Sequence, residues 1–213
     1  MATRVILAIH ERLFRESLRE AITRGLGVLV VGEATNGREA LRQARENSPD
    51  LVILQPGLKE LNGVGTIREL RSEAPTLPVI AICPHADYPL LMRVLKAGAR
   101  AVVGSDDPLD ELHRAFQASM EGRTHLSPGL EATLARSPGD PAPTADEILT
   151  RRELEVLQLL AEGKSTKRVA ETLSVSTKTV ETHRLHIMAK LRLYSVAQLT
   201  KYAIRQGITT VAS

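Results

Sequence analysis

Two hydrophobic rhythms alternate along the first 120 or so residues. Short apolar runs of strand length occur at 4–9 (RVILAI), 28–33, 51–54, 77–83 and 100–103. Between them, at 12–24, 37–47, 62–74, 87–97 and 107–121, apolar positions return every three or four residues, as they do on one face of a helix. In the first of these stretches the spacing predicts Leu13, Phe14, Ser17, Leu18, Ala21 and Ile22 on the inner face. Asn62 is placed to cap the third helix, while Ser48-Pro49 and Pro75 end the second and third. Strands that are almost continuously apolar are those buried on both faces. Five strand–helix units with short connections therefore predict an α/β fold: a doubly wound, five-stranded parallel sheet that binds ligands at the carboxyl ends of its strands.

After residue 122 the pattern changes. Ser127-Pro128 opens a short helix to about Arg136, and 137–146 (SPGDPAPTAD) has no apolar period and reads as a semi-stiff linker. Thr150 and Glu153 then form a capping box, starting a helix with Leu154, Val156, Leu157, Leu159, Leu160 and Ala161 that stops before Gly163. Ser165 caps a second helix carrying Val169, Ala170 and Leu173. Past Ser174-Val175, Ser176 caps a third, whose Val180, Ile187, Met188 and Leu191 mark a buried face. Two short helices joined by a tight turn, the second basic at its front, predict a helix-turn-helix in a small all-α domain. A fourth helix follows from Tyr194-Ser195 to Gln206. Its apolar Val196, Leu199, Tyr202, Ala203 and Ile204 exceed what so small a bundle needs, and a homodimer contact would use the surplus. The chain thus divides into 1–122, a linker with a short helix at 123–146, and 147–213.

Charge sharpens this division. The net charge is +3, but residues 1–148 carry 17 basic and 20 acidic side chains, whereas 149–213 carry 11 and 5. A basic excess confined to the helical third is the electrostatic footprint of a nucleic-acid-binding module, here for double-stranded DNA. No apolar run exceeds strand length, so no membrane span is expected, and the start MATRVILAIHER is too weakly apolar for a secretory signal. A single cysteine, Cys83, excludes an internal disulfide framework and favours a reducing cytoplasm.

The words of the N-terminal stretch, VGEATNGREAL (31–41), SPDLVIL (48–54), LPVIAI (77–82) and KAGARAVV (96–103), resemble the receiver domain of NarL/FixJ response regulators over residues 3–122. The run LTRRELEVLQLLAEGKSTKRVAETLSVSTKTVETHRLHIMAKL, extended to about Ile208, resembles the LuxR/NarL-type DNA-binding domain. By position this second resemblance implies base contacts from Glu181, Thr182 and Leu185. It implies phosphate contacts from Lys164, Ser165, Lys167, Lys178, Thr179, Arg184 and Lys190. Glu181 has two readings: acceptor for a cytosine amino group, or orienter of Arg184. His183 and His186 are expected to pack or touch backbone phosphate.

At the chemical positions of a receiver the sequence departs from the family. Aspartyl phosphorylation there takes an acidic pair for Mg²⁺, an acceptor Asp, a hydroxyl and a lysine. Here Ile9 and His10 replace the acidic pair, Gln55 the acceptor, Cys83 the hydroxyl and Ser105 the lysine, and Val102 stands where many relatives have the aromatic residue that follows the switch. The expectation is a receiver that cannot be phosphorylated. The vacated pocket, near His10, Glu11, Cys83 and His85, is open to a transition metal, a redox-active Cys83 or a small molecule, weighed against a closed relic; no cofactor or metal is expected. The sequence therefore predicts a DNA-binding transcription regulator, not an enzyme, that acts as a dimer without phosphorylation. The rival is an interaction module that sequesters, or is released by, a partner or small ligand, with DNA binding secondary.

Overall fold

A computed structural model describes residues 2–83, 88–136 and 143–209. His85 and most of the 137–146 linker lie outside the described residues, as does the start of the 87–97 helix. The chain forms two compact units, 1–139 and 140–213.

In the first unit the strands are β1 (Arg4–Ala8), β2 (Leu29–Ala34), β3 (Leu51–Leu54), β4 (Val79–Cys83), β5 (Ala101–Gly104) and β6 (His125–Leu126). All pair in parallel in the order β2-β1-β3-β4-β5-β6. Alternate side chains of each strand feed two cores. Ile6, Ala8, Val52, Leu54, Val79, Ala81 and Cys83 pack against α2 (Gly37–Asn47), α3 (Gly63–Glu73) and α4 (Tyr88–Ala97). Val5, Leu7, Ile53, Ile80, Ile82 and Val103 pack against α1 (Arg12–Leu26) and α5 (Leu109–Met120). Burial on both faces is why these strands read as apolar runs with no alternation.

Two expectations are corrected here. The sheet has six strands, not five: His125 and Leu126 pair with Ala101 and Val102, and Ser127 N–H donates to the Val102 carbonyl. A two-residue strand is too short to show a period. Helix α6 (Pro128–Ala135) follows, with Leu130 buried in the first core and Leu126 and Leu134 packed against it. The stretch 123–136 is therefore part of the first unit, not of a connector. The second correction concerns α1. Leu18 and Ile22 are buried, but Leu13 is 78% exposed and Ser17 is exposed too, because the inward row narrows toward the helix start.

A tie absent from the sequence reading joins β6 to α5. The buried Glu111 carboxylate lies 2.7 Å from His125 Nε2 and accepts from Arg114 at 2.7 Å. It balances a carboxylate that would otherwise be buried without a partner.

In the second unit, α7 (Ala145–Ile148), α8 (Arg151–Ala161), α9 (Thr166–Leu173), α10 (Thr177–Leu191) and α11 (Val196–Arg205) enclose one core. The Thr150–Glu153 box is present: Glu153 Oε2 accepts from Thr150 N at 2.8 Å, and Thr150 Oγ1 from Glu153 N at 3.3 Å. Ser165, Ser176 and Ser195 each cap the helix that follows. A second box, Thr144 with Glu147, opens α7, and Ala145 is fully buried. The expected linker therefore ends by Thr144, two residues earlier than its composition suggests.

The β3–α3 turn generates a testable consequence. A Cβ on Gly63 would stand 2.2 Å from the Gln55 carbonyl oxygen and 2.7 Å from Pro56 Cα, both backbone. Gly63→Ala should lower stability by about 1–3 kcal/mol through overpacking, read as a lower thermal midpoint. An unchanged midpoint would show that the turn can relax.

Candidate functional site

In a sheet ordered 2-1-3-4-5, the strand sequence reverses between β1 and β3, and their carboxyl ends are where an α/β sheet binds ligands. The structure brings Ile9, His10 and Gln55 together at this point. Gln55 is buried; its N–H donates to the Ala8 carbonyl, and its Oε1 accepts from His10 N at 3.3 Å. Sequence reading missed Arg15, which reaches over the same edge from α1. Its guanidinium donates to the Ile9 carbonyl at 2.7 Å and to Glu33 at 2.9 Å, and Arg19 donates to the other Glu33 oxygen at 2.9 Å. An arginine and an amide thus fill the edge with their own hydrogen bonds. No three His, Cys, Asp or Glu side chains converge as a metal set among the described residues.

Cys83 is buried in the α2–α4 core, not open to the pocket, and burial pushes its thiol up to about 12. It stays protonated at neutral pH, the opposite of a redox-sensing thiolate. Ser105 donates its N–H to the Cys83 carbonyl, and its hydroxyl meets Asp106 at 3.3 Å. Asp107 closes the loop by accepting from Gly104 N at 2.7 Å. Iodoacetamide at pH 8 should leave Cys83 unmodified in the folded protein and alkylate it in denaturant; rapid labelling of the native chain would contradict the burial.

The second site is the front of α10. Val180 and Ile187 are buried and Met188 and Leu191 half-buried, which fixes the helix's rotation against the core. Lys178, Glu181, Thr182 and Leu185, at i, i+3, i+4 and i+7, are all exposed on the opposite side. Ser176 Oγ accepts from Thr179 N at 3.0 Å and meets Thr179 Oγ1 at 2.8 Å, so the first turn is closed. Lys167 is exposed on α9; Lys164 is half-buried and 3.6 Å from Glu162; Ser165 caps α9 by accepting from Arg168 N. His183 is half-buried and His186 exposed.

Two expected phosphate ligands sit differently. Arg184 falls in the inward row with Val180, Ile187 and Leu191; it is half-buried, and its Nε is shielded from solvent without a hydrogen-bond partner. Lys190, expected on phosphate, instead donates from Nζ to Glu153 Oε2 at 2.7 Å, tying the end of α10 to the capping box of α8. Positional resemblance could not reveal this, because Lys190 and Glu153 are 37 residues apart.

Against these two geometries stand the comparisons. The receiver-domain model of response regulators matches residues 5–117, and the model of bacterial regulatory proteins of the luxR family matches 147–203. The chain belongs to the LuxR family of response regulators. It is therefore a DNA-binding regulator of transcription by family. Among its relatives, the transcriptional activator protein ExaE of Pseudomonas putida is 32% identical, with 98% of this chain and 99% of ExaE covered. The response regulator UvrY of Escherichia coli K12 is 26% identical over 96% and 94%. RcsB of Salmonella enterica serovar Typhimurium, solved bound to the promoter rprA with a phosphomimetic, shares the fold. Its TM-score is 0.65 at 23% identity, over 95% of this chain and 98% of RcsB.

Burial pushes the Glu153 carboxyl up, but the Lys190 ammonium and the Thr150 N–H and hydroxyl outweigh it and hold the group below its usual value. A carboxylate depressed on folding adds stability that is complete above its unfolded pKa and lost as pH falls through the folded one. Glu153→Gln should therefore cost about 1–3 kcal/mol at pH 7, and its deficit relative to the parent should shrink as pH falls from about 5 toward 3. A deficit constant with pH would remove the ion pair from the explanation.

Proposed function

We propose that this regulator binds duplex DNA as a homodimer with α10 in the major groove, and that its N-terminal unit works without aspartyl phosphorylation. The observation that carries the first part is the exposed row Lys178, Glu181, Thr182 and Leu185 at the front of a helix rigidly set by Val180 and Ile187. In the helix-turn-helix geometry such a row meets base edges, here through Glu181, Thr182 and Leu185, while the flanks meet phosphate. Among the described residues Lys167 and Lys178 have no carboxylate in ion-pair range, so their charge is available to DNA. Lys164, Ser165 and Thr179 flank them, and Arg184 reaches phosphate only from the helix's inner edge. Lys190 is left to its structural partner.

Of the apolar surplus expected on α11, Leu199 and Ala203 fill the core and Tyr202 and Ile204 are half-buried, so dimerisation is supported there by Val196, 43% exposed, together with Tyr194 just before the helix, 84% exposed. The second part rests on Gln55. An amide cannot form an acyl phosphate, and the Arg15 guanidinium bound to the Ile9 carbonyl puts a fixed positive charge where a receiver would hold Mg²⁺. Control then falls to abundance, dimerisation, or a non-phosphate ligand or partner.

Lys178→Ala and Lys167→Ala should each weaken binding to all duplexes alike and reduce the salt slope by about 1, measured by fluorescence titration between 50 and 200 mM salt, taken as about the range over which such binding is sensitive. Unchanged slopes would take these lysines out of the interface. Intact-mass measurement after treatment with acetyl phosphate and Mg²⁺ should give the unmodified chain; a phosphoryl adduct would overturn the phosphorylation-independent reading.

A further inference from the structure

Five carboxylates lie beyond residue 149, and four are tied to cations: Glu153 to Lys190, Glu155 to Arg151 and Arg152, Glu162 to Lys164, and Glu171 to Arg168. Glu181 is the fifth. It is exposed on α10, and no basic side chain among the described residues stands within ion-pair range, neither Lys178 nor Arg184. Of its two sequence readings, orienter of Arg184 therefore loses its support. A bare carboxylate on a surface that approaches a polyanion is repelled unless a donor meets it. The major groove offers such donors on cytosine N4 and adenine N6. Adenine sets an acceptor, N7, beside its donor, which suits an amide, whereas cytosine suits a carboxylate.

One turn further, Leu185 is 62% exposed, an apolar side chain with nothing of its own chain covering most of it. Its complement in the groove is the C5-methyl of thymine. Between the two, Thr182 gives its hydroxyl hydrogen to the Lys178 carbonyl at 3.0 Å, so that donor is spent and a methyl remains. None of the three positions holds Arg, Lys, Asn or Gln, the side chains that read guanine or adenine in bidentate fashion.

We propose that α10 is a pyrimidine reader: Glu181 accepts from a cytosine N4 amino group, while Leu185, with the Thr182 methyl, packs on a thymine methyl. Positions 181 and 185 are about 6 Å apart along the helix, and base pairs are spaced by about 3.4 Å, so the two bases lie within about two steps of each other in each half-site. This inference rests on the preceding reading that α10 enters the major groove.

The experiment is selection from a random duplex library by the full-length protein, with Glu181→Gln and Leu185→Ala in parallel, followed by titration of the selected site with deoxyuridine in place of its thymine. Both substitutions are at exposed positions and leave the core intact. The parent should enrich a site with a fixed cytosine and thymine. Uracil, lacking the methyl, should weaken the parent about fourfold, as loss of one buried methyl group would, and leave Leu185→Ala unaffected. Glu181→Gln, relieved of a charge that DNA repels, should bind random DNA more tightly than the parent and exchange cytosine for adenine at one position per half-site. An enriched site indifferent to both changes would overturn the pyrimidine code while leaving major-groove binding intact. Failure of the parent to enrich any site would overturn both.

Discussion

The rotation of α10 about its own axis is the constraint on which the proposed recognition depends. A turn of the helix by one residue, roughly 100°, would bury Glu181 in one sense and present Arg184 in the other. What prevents it is a row of side chains rather than a charge. Val180 and Ile187 are completely or almost completely buried, Leu191 and Met188 pack at the edges, and α8 and α9 supply the facing surface. Fully burying a Val or Ile is worth about 1.5–3 kcal/mol, so no exposed contact on the front can compete. The Lys190–Glu153 pair then fixes the far end of the helix to the first turn of α8. Arg152 does the same for α9, donating to the Leu173 carbonyl at 2.6 Å. The exposed row Lys178, Glu181, Thr182 and Leu185 is thus free to vary in chemistry because none of its members holds the domain together.

The N-terminal unit shows the complementary case, in which the framework of a sheet edge is set by strand order and polar side chains fill it. The parallel sheet still converges on the carboxyl ends of β1 and β3, because that geometry follows from strand order and burial alone. What occupies the edge is a set of mutually satisfied polar groups: Gln55 with His10 N–H, and Arg15 with the Ile9 carbonyl and Glu33. Cys83, whose position suggests exposure at the strand end, packs into the core because its side chain falls on the α2–α4 side of β4.

Most of the fold was legible in the sequence because its main signals are local. The serine caps at 165, 176 and 195, the Thr150–Glu153 box and the apolar strands each announce themselves within a few residues, and the structure has all of them. What the sequence hid depends on distance or brevity. Strand β6 is two residues long, so no alternation can appear. The Glu111–His125 tie spans 14 residues, and Lys190–Glu153 spans 37. Positional resemblance put Lys190 among phosphate ligands, yet only the packing of α10 on α8 reveals the carboxylate that takes its charge. Leu13 failed for a different reason: helical spacing counts it on the inner face, but the first turn of α1 extends past the surface it could cover.

The distribution of ion pairs explains why the charge asymmetry seen in the sequence has functional weight. In the first unit many arginines are neutralised locally: Arg12 by Glu16, Arg24 by Glu20, Arg45 by Glu73, Arg114 by Glu111. Their charges cancel within a few ångströms and project little field. In the second unit four of five acids after residue 149 are bound to cations, yet Lys167, Lys178, Arg192, Lys201 and Arg205 have no carboxylate in ion-pair range among the described residues. The +6 excess of that segment therefore resides in unpaired surface cations rather than in a balance of paired ones. A net charge of only +3 for the whole chain conceals this. Under the pyrimidine code proposed above, an unpaired carboxylate at Glu181, set amid that field, would lower affinity for every duplex except those that offer it a donor, making it a source of discrimination rather than of strength.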